Sequence, residues 1–214
     1  NVVGLPAALL LGLLEAHGAR VVICPVDVAA DDPRSYYKVA ERIRDEEGAY
    51  LPNQYHNAAN PETHYKTTGP EIWRQTDGKV THWVAGVGTG GTVSGVSRYL
   101  KEQNPAIRTI GVDPVGSLYA YWNDHGHLPP PEELDFYLID GIGQSYMPDS
   151  CWPETIDEVI TVSDQIAYDE VFALAKSEAI FTGSSGAAAA WAAREVARKL
   201  PGDALVVTLL PDSG

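Results

Sequence analysis

Thr81-His82-Trp83-Val84-Ala85-Gly86-Val87 runs directly into Gly88-Thr89-Gly90-Gly91-Thr92, and then into Val93-Ser94-Gly95-Val96-Ser97-Arg98-Tyr99-Leu100-Lys101-Glu102-Gln103. The first part is a continuous β-rich run of strand length, the middle is glycine and threonine, and the last part carries helical periodicity that Asn104-Pro105 closes. The order is strand, glycine loop, helix. Glycines there let the backbone approach a ligand closely. The unpaired N–H groups of the helix start, at the positive end of its dipole, favour an anion such as phosphate. A tight turn with no ligand is the plainer reading, but four glycines in six residues beside two threonine hydroxyls favour a phosphorylated ligand.

The same alternation extends to both sides. Towards the start, the sequence predicts an apolar helix over 7–17 closed by Gly18, a strand over 20–24, a helix over 34–47 entered through Asp31-Asp32, and a short strand over 49–51. Asn60-Pro61 is expected to open the next helix, with asparagine as cap and proline at the first helical position, and Gly69-Pro70 to interrupt or restart it before 71–75. Beyond the loop come a strand over 108–113 ended by Pro114, a proline-rich irregular stretch over 121–153, and a strand over 158–162. A helix over 164–176 capped by Ser163, an alanine-rich helix over 185–200 and a buried strand over 204–210 complete the pattern. Strands alternating with helices predict an α/β fold around a mostly parallel sheet.

The 214 residues, 44% hydrophobic and 21% charged, exclude disorder, collagen and coiled coil. Fifteen Lys and Arg against 29 Asp and Glu give a net charge of −14, which leaves no electrostatic footprint for nucleic acid and little attraction to an anionic membrane. A small-molecule partner is expected. The apolar stretch over 5–14 lacks a basic flank, is interrupted by Pro6 and Gly12, and is too short to span a bilayer. Two isolated cysteines, Cys24 and Cys151, offer neither a disulfide framework nor a CxxC site, which fits a reducing, cytoplasmic compartment. Cys24 reads as a small core residue at a strand end. The chain opens inside an apolar run and stops where a buried strand meets a loop, so it is expected to be cut at both ends.

Two other constellations compete for the chemistry. Gly86, Gly88 and Gly91 satisfy G-x-G-x-x-G, with Asp113 at the end of the next strand as a candidate ribose ligand, so a dinucleotide-binding oxidoreductase is an alternative. Against it, Pro114 follows Asp113 immediately, and a second glycine-led helix start, Gly183-Ser184-Ser185-Gly186, is left unexplained. His125-Gly126-His127 beside Asp124 reads as solvent-facing loop, and no metal site is expected.

Gly88-Thr89-Gly90-Gly91-Thr92, Gly95, Arg98 to Glu102, Gly111-Val112-Asp113-Pro114 and Gly116-Ser117 closely resemble the pyridoxal-phosphate enzymes of fold type II, nearest their cystathionine β-synthase and cysteine synthase branch. The resemblance continues in family order through Gln54-Tyr55-His56-Asn57-Ala58-Ala59-Asn60-Pro61, His64-Tyr65, Asp140-Gly141-Ile142-Gly143, Gly183 to Gly186 and Leu210-Pro211-Asp212-Ser213. It implies two open, mostly parallel sheets with helices on both faces, the first domain incomplete. Residues 1–52 would be the remainder of the smaller domain and 53–214 the larger, cofactor-phosphate-binding one. It also implies pyridoxal 5'-phosphate as cofactor, with Gly88, Thr89, Gly90, Gly91 and Thr92 cradling its phosphate and Ser184 meeting the pyridine nitrogen. Gln54, Tyr55 and Gly141 would face the substrate. Taken alone, these residues also read as an N-cap, a strand end, a half-buried aromatic and a turn glycine. Asn57 and Asn60 read as turn and cap residues.

The implied activity is β-elimination and β-replacement on L-serine or an O-activated serine with a thiol acceptor, giving a cystathionine β-synthase, or a cysteine synthase if sulfide is the acceptor. A homodimer is implied as well. Gly116-Ser117 points to the former, whereas Gln144 stands where many cystathionine β-synthases have tyrosine, so the acceptor stays open. The Schiff-base lysine that the family carries in a Ser-x-Lys segment has no counterpart among Lys38, Lys66, Lys79, Lys101, Lys176 and Lys199. A non-catalytic relative or fragment is therefore the other alternative. The family's substrate-carboxylate loop leaves two registers at the start: Asn1 as its surviving asparagine, or 2–6 as the following strand.

Overall fold

The computed structural model describes residues 7–25, 28–29 and 31–213. Both registers proposed for residues 1–6 lie outside the described residues. The chain divides into two compact units, Asn1–Asn53 and Gln54–Gly214.

In the first unit, α1 (Ala7–Ala16) and α2 (Tyr36–Glu47) are the regular elements among the described residues. α2 starts two residues later than its periodicity suggests, because Ser35 is its cap and its hydroxyl accepts the Lys38 N–H at 3.3 Å. Gly48, left-handed at φ 64°, ends it. The strands expected over 20–24 and 49–51 do not form. Their composition is β-rich, but a strand needs a hydrogen-bonding neighbour, and the described residues of this unit supply none. Ile23 and Tyr50 are instead 78% and 83% exposed. Cys24 correspondingly is not at a strand end, and it is only partly buried.

The second unit is built on one parallel sheet of four strands in the order β3-β2-β1-β4, with β1 His82–Gly86, β2 Arg108–Pro114, β3 Glu158–Val162 and β4 Val206–Thr208. β1 lies in the interior, its Val84 in register with Ile110 of β2 and Thr208 of β4. Alternate side chains point to opposite faces. Trp83 and Ala85 enter a core with Val93, Val96 and Leu100 of α5 (Gly91–Gln103). Val84, with Ile110 and Val112, enters another with Ala167 of α7 (Asp164–Glu178) and Ala188 and Ala192 of α8 (Ser184–Ala197). Both faces of the sheet are therefore covered by helices, which explains why the strands read as unbroken apolar runs. α7 and α8 are also joined by a bidentate pair, Arg194 to the buried Glu170 carboxylate at 2.6 and 2.7 Å.

Two helices precede β1, α3 (Ala59–Lys66) and α4 (Thr68–Gln75), broken at Thr67 as Gly69-Pro70 predicts. The 121–153 stretch is less irregular than its prolines suggest, since it begins inside α6 (Leu118–His125). The start of α6 is supported by a distant group: Asp113 Oδ2 accepts the Ala120 N–H at 3.0 Å.

Candidate functional site

β1 delivers the chain into residues 87–92, and α5 begins at Gly91. Every carbonyl from Val87 to Gly90 has a donor within the protein. Gly143 N donates to Val87 O at 2.8 Å, Tyr119 Oη to Gly88 O at 2.5 Å, and Ser94 N to Gly90 O at 2.9 Å. Ser150 Oγ lies 2.7 Å from Thr89 O and 3.0 Å from Tyr55 O, so its single proton is shared between them. With its acceptors taken, the loop's remaining polarity is that of donors. These are the Thr89 and Thr92 hydroxyls and the amides at the start of α5, which have no intrahelical acceptor, although Gly91 N makes a long contact with Thr89 Oγ1 at 3.4 Å. This donor set suits an anion.

Glycine is required here for two reasons. Gly90 is left-handed at φ 81°, and a Cβ on it would lie 2.5 Å from Cys151 Cα. A Cβ on Gly88 would lie 2.5 Å from Gly141 O.

Around this loop the structure gathers the other residues singled out from the sequence. Asn60 Nδ2 donates both to Gln54 O at 2.8 Å and to Thr89 Oγ1 at 2.9 Å, tying the Gln54-Tyr55 segment to the loop. Gly141, at φ 84°, stands over Gly88 and against the Ser185 hydroxyl. Ser184 Oγ accepts the Asp140 N–H at 3.2 Å. Ser184 is not the cap of α8, which is Gly183, but its first residue, and it is 5% exposed. Asp212 secures this helix start, accepting the Gly183 N–H at 2.7 Å and the Thr182 hydroxyl at 2.9 Å.

Asn60 corrects the sequence reading. It lies within α3 and is not its cap; Asn57 Oδ1 takes the local role by accepting the Ala59 N–H at 3.0 Å. Tyr119, Ser150 and Cys151 give no sequence signal for their contacts with the loop. Asn60, His64 and Asp212 do stand inside motifs that match a known family, and that was the available clue.

Burial dominates the titration of the groups behind the loop. It pushes the Asp113 carboxyl up to about 7, only partly opposed by hydrogen bonding from Ser117 and from the Ala120 and Tyr119 amides of α6, and the Cys151 thiol up to about 12. It raises Tyr119 as well, keeping that hydroxyl a donor, and lowers His64, keeping that ring neutral.

Residues 8–212 match the family described as pyridoxal-phosphate dependent enzyme. The chain belongs to this family. Among curated relatives, it is 37% identical over 202 residues to an O-acetylserine dependent cystathionine beta-synthase of Bacillus subtilis. It is 35% identical over 203 residues to a cystathionine beta-synthase of Apis mellifera. Each match covers 94% of this chain, and 62% and 39% of the relatives' own lengths. The resemblance read from the motifs is thus borne out.

Pyridoxal phosphate is the cofactor of this family, and the residues present fit it. A phosphate monoester needs several donors and close backbone approach, which residues 88–92 provide. A pyridine nitrogen needs one donor, and the Ser184 hydroxyl, its lone pair engaged by Asp140 N–H, has its proton to give. The dinucleotide alternative fails on Asp113. Its side chain is 0% exposed and bonded to the start of α6, so it cannot reach a ribose. His125 stacks on Tyr121 with ring centroids 4.0 Å apart, and no cluster of three metal-ligating side chains occurs among the described residues. Nor is any described helix long and apolar enough to cross a membrane. Four lysines of this pyridoxal-phosphate family member, Lys38, Lys66, Lys79 and Lys101, are ion-paired with Glu41, Glu62, Asp77 and Asp157. Lys176 and Lys199 are exposed at helix ends.

Proposed function

We propose that the full-length protein catalyses pyridoxal-phosphate-dependent β-replacement on L-serine or an O-activated serine, with a thiol, homocysteine before sulfide, as acceptor. The observation that carries this reading is the neutral hydroxyl of Ser184, buried at the start of α8 and already accepting from Asp140 N–H. When bound, the cofactor supplies an electron sink for bonds at the substrate α-carbon. A hydroxyl donates to the ring nitrogen without protonating it, which keeps the sink moderate and favours loss of a β-leaving group over transamination. Residues 88–92 bind the phosphate through amides and the Thr89 and Thr92 hydroxyls. Gln54, Tyr55 and Gly141 orient the amino acid, and Gly141, left-handed and against both Gly88 and α8, closes over it.

None of the six lysines has a setting suited to proton transfer at the α-carbon, so in this reading that lysine belongs to the rest of the full-length protein. The names of the two relatives, one an O-acetylserine dependent cystathionine beta-synthase and the other a cystathionine beta-synthase, support an O-activated serine as donor and cystathionine as product. The reading includes a cytoplasmic homodimer in which residues 1–52 belong to a smaller domain and 53–214 form the cofactor-binding one.

The test is product formation by the full-length protein from serine and from O-acetylserine, each with homocysteine or sulfide, with and without added pyridoxal phosphate. Cofactor-dependent cystathionine formation, with visible absorbance from the bound cofactor, is expected. Tight NAD binding without that absorbance, or no cofactor-dependent product, overturns the proposal.

Ser184 gives a sharper prediction. Ser184→Ala removes one neutral hydrogen bond and should slow β-replacement about fivefold. Ser184→Asp would hold the ring as a pyridinium and should slow it by about 100-fold or more. Equal rates for wild type and Ser184→Asp, measured at saturating cofactor, contradict the assignment.

A further inference from the structure

α3 approaches the start of α5 so closely that neither Gly91 nor Gly95 has room for a Cβ: Asn60 Oδ1 blocks the first and Pro61 O the second. Two α3 side chains one turn apart, Asn60 and His64, use this proximity, and each engages one threonine of the loop. Asn60 Nδ2 is 2.9 Å from Thr89 Oγ1. His64 Nε2 is 3.1 Å from Thr92 Oγ1, and its Nδ1 is 2.9 Å from Thr68 Oγ1.

Chemistry fixes the direction of the first bond. The same Nδ2 lies 2.8 Å from Gln54 O, a carbonyl that can only accept, so this atom is the NH2 and Thr89 Oγ1 must accept from it. The Thr89 proton is then released for another acceptor. The second chain, Thr68–His64–Thr92, has two proton arrangements. With Nδ1–H, the ring donates to Thr68 and Thr92 spends its own proton on Nε2. With Nε2–H, Thr68 donates to the ring, the ring donates to Thr92, and the Thr92 proton is released. Burial keeps the ring neutral, so these two arrangements are the available ones.

We propose that Asn60 and His64 are positioning residues that set the donor direction of the Thr89 and Thr92 hydroxyls towards a bound phosphate, and that phosphate binding selects the Nε2–H tautomer of His64. This inference rests on the reading that residues 88–92 hold the cofactor phosphate. The bound phosphate touches neither residue directly; each acts through a threonine. Asn60 also carries Gln54, so one amide ties the proposed substrate segment to the phosphate cradle.

The test compares full-length wild type with Thr92→Val, His64→Gln, His64→Leu and Asn60→Asp, titrating each apoprotein with pyridoxal phosphate and, separately, with unphosphorylated pyridoxal. His64→Gln keeps a side-chain donor and should stay within about threefold of wild type, whereas His64→Leu should weaken pyridoxal phosphate binding about tenfold. Asn60→Asp makes Thr89 spend its proton on the new carboxylate and places a negative charge near the phosphate, for an expected loss of about 100-fold. Pyridoxal affinity should change by less than about threefold in all of them. Equal losses for the two ligands would mean a merely structural role and overturn the inference. NMR of the ring nitrogens in the holoprotein should show His64 protonated at Nε2 only; protonation at Nδ1 only overturns the tautomer assignment even where a variant fails to fold. If Thr92→Val leaves pyridoxal phosphate affinity unchanged, the phosphate reading itself fails. If Thr92→Val weakens it while His64→Leu and Asn60→Asp do not, only the positioning inference fails.

Discussion

Gly90→Ala should destabilise the full-length protein by about 2–5 kcal/mol, the sum of the left-handed backbone penalty and an overpacked contact. Pyridoxal phosphate affinity should fall about 100-fold or more, since each 1.4 kcal/mol is tenfold and the strain falls within the cradle. The two contributions have separate causes. At φ 81° any Cβ is disfavoured, and at this position it would also meet Cys151. Trimming that neighbour does not rescue the variant, because Cys151 Cα itself lies 2.5 Å from where the new Cβ would be. Gly90→Ala/Cys151→Gly should therefore remain close to Gly90→Ala. Gly202→Ala is the control: nothing lies within 4 Å of its added Cβ, and it should change stability by less than about 0.5 kcal/mol. Urea unfolding and cofactor titration read both effects. Wild-type stability and affinity in Gly90→Ala would mean that the loop is not built as described.

That loop was legible because its signals are local. A strand, a run of glycines and a helix start occupy consecutive residues, and the chemistry of a free helix N-terminus follows from backbone alone. The Ser163 cap of α7 was legible for the same reason, its hydroxyl accepting the Ile166 N–H three residues on. What the sequence hid was decided at a distance. Asn60 has good cap chemistry, yet its amide serves Thr89, 29 residues away, while Asn57 makes the local turn. α6 was masked by the prolines after it, and its start is held by Asp113 from the preceding strand; Ser117, at its cap, turns its hydroxyl to Gln144. The segments 20–24 and 49–51 show the converse. β-rich composition is a tendency to pair, and without a neighbour it yields only irregular, largely exposed chain. Gathering Gln54, Tyr55, Gly141 and Ser184 around the loop likewise took contacts no periodicity reveals, and only the family resemblance pointed to them.

Asp113→Asn should reverse the order of stability between pH 4 and pH 8. In the native protein the Asp113 carboxyl holds its proton up to about pH 7, against an ordinary 3.8, because burial outweighs the hydrogen bonding from Ser117 and the α6 amides; its Oδ1 has no hydrogen-bond partner among the described residues. The unfolded chain gives up that proton near pH 4, so between there and pH 7 the native state binds more protons and stability falls as pH rises. The contribution is whole below the unfolded value and lost as pH climbs through 7. At about 1.4 kcal/mol per unit, the loss by pH 8 is about 4 kcal/mol, a large part of a typical domain's total stability. Asparagine keeps the carbonyl that accepts Ala120 N–H and cannot ionise, but it introduces amide protons where Oδ1 has no partner, at a cost of about 1–3 kcal/mol. The variant should accordingly be less stable than wild type at pH 4, where little of that contribution has been lost, and more stable at pH 8. The difference between the two urea-unfolding profiles isolates Asp113 from the histidines, which titrate equally in both proteins. A constant difference across this range would show that Asp113 is already ionised in the native state, its burial offset by Ser117 and the amides at the start of α6.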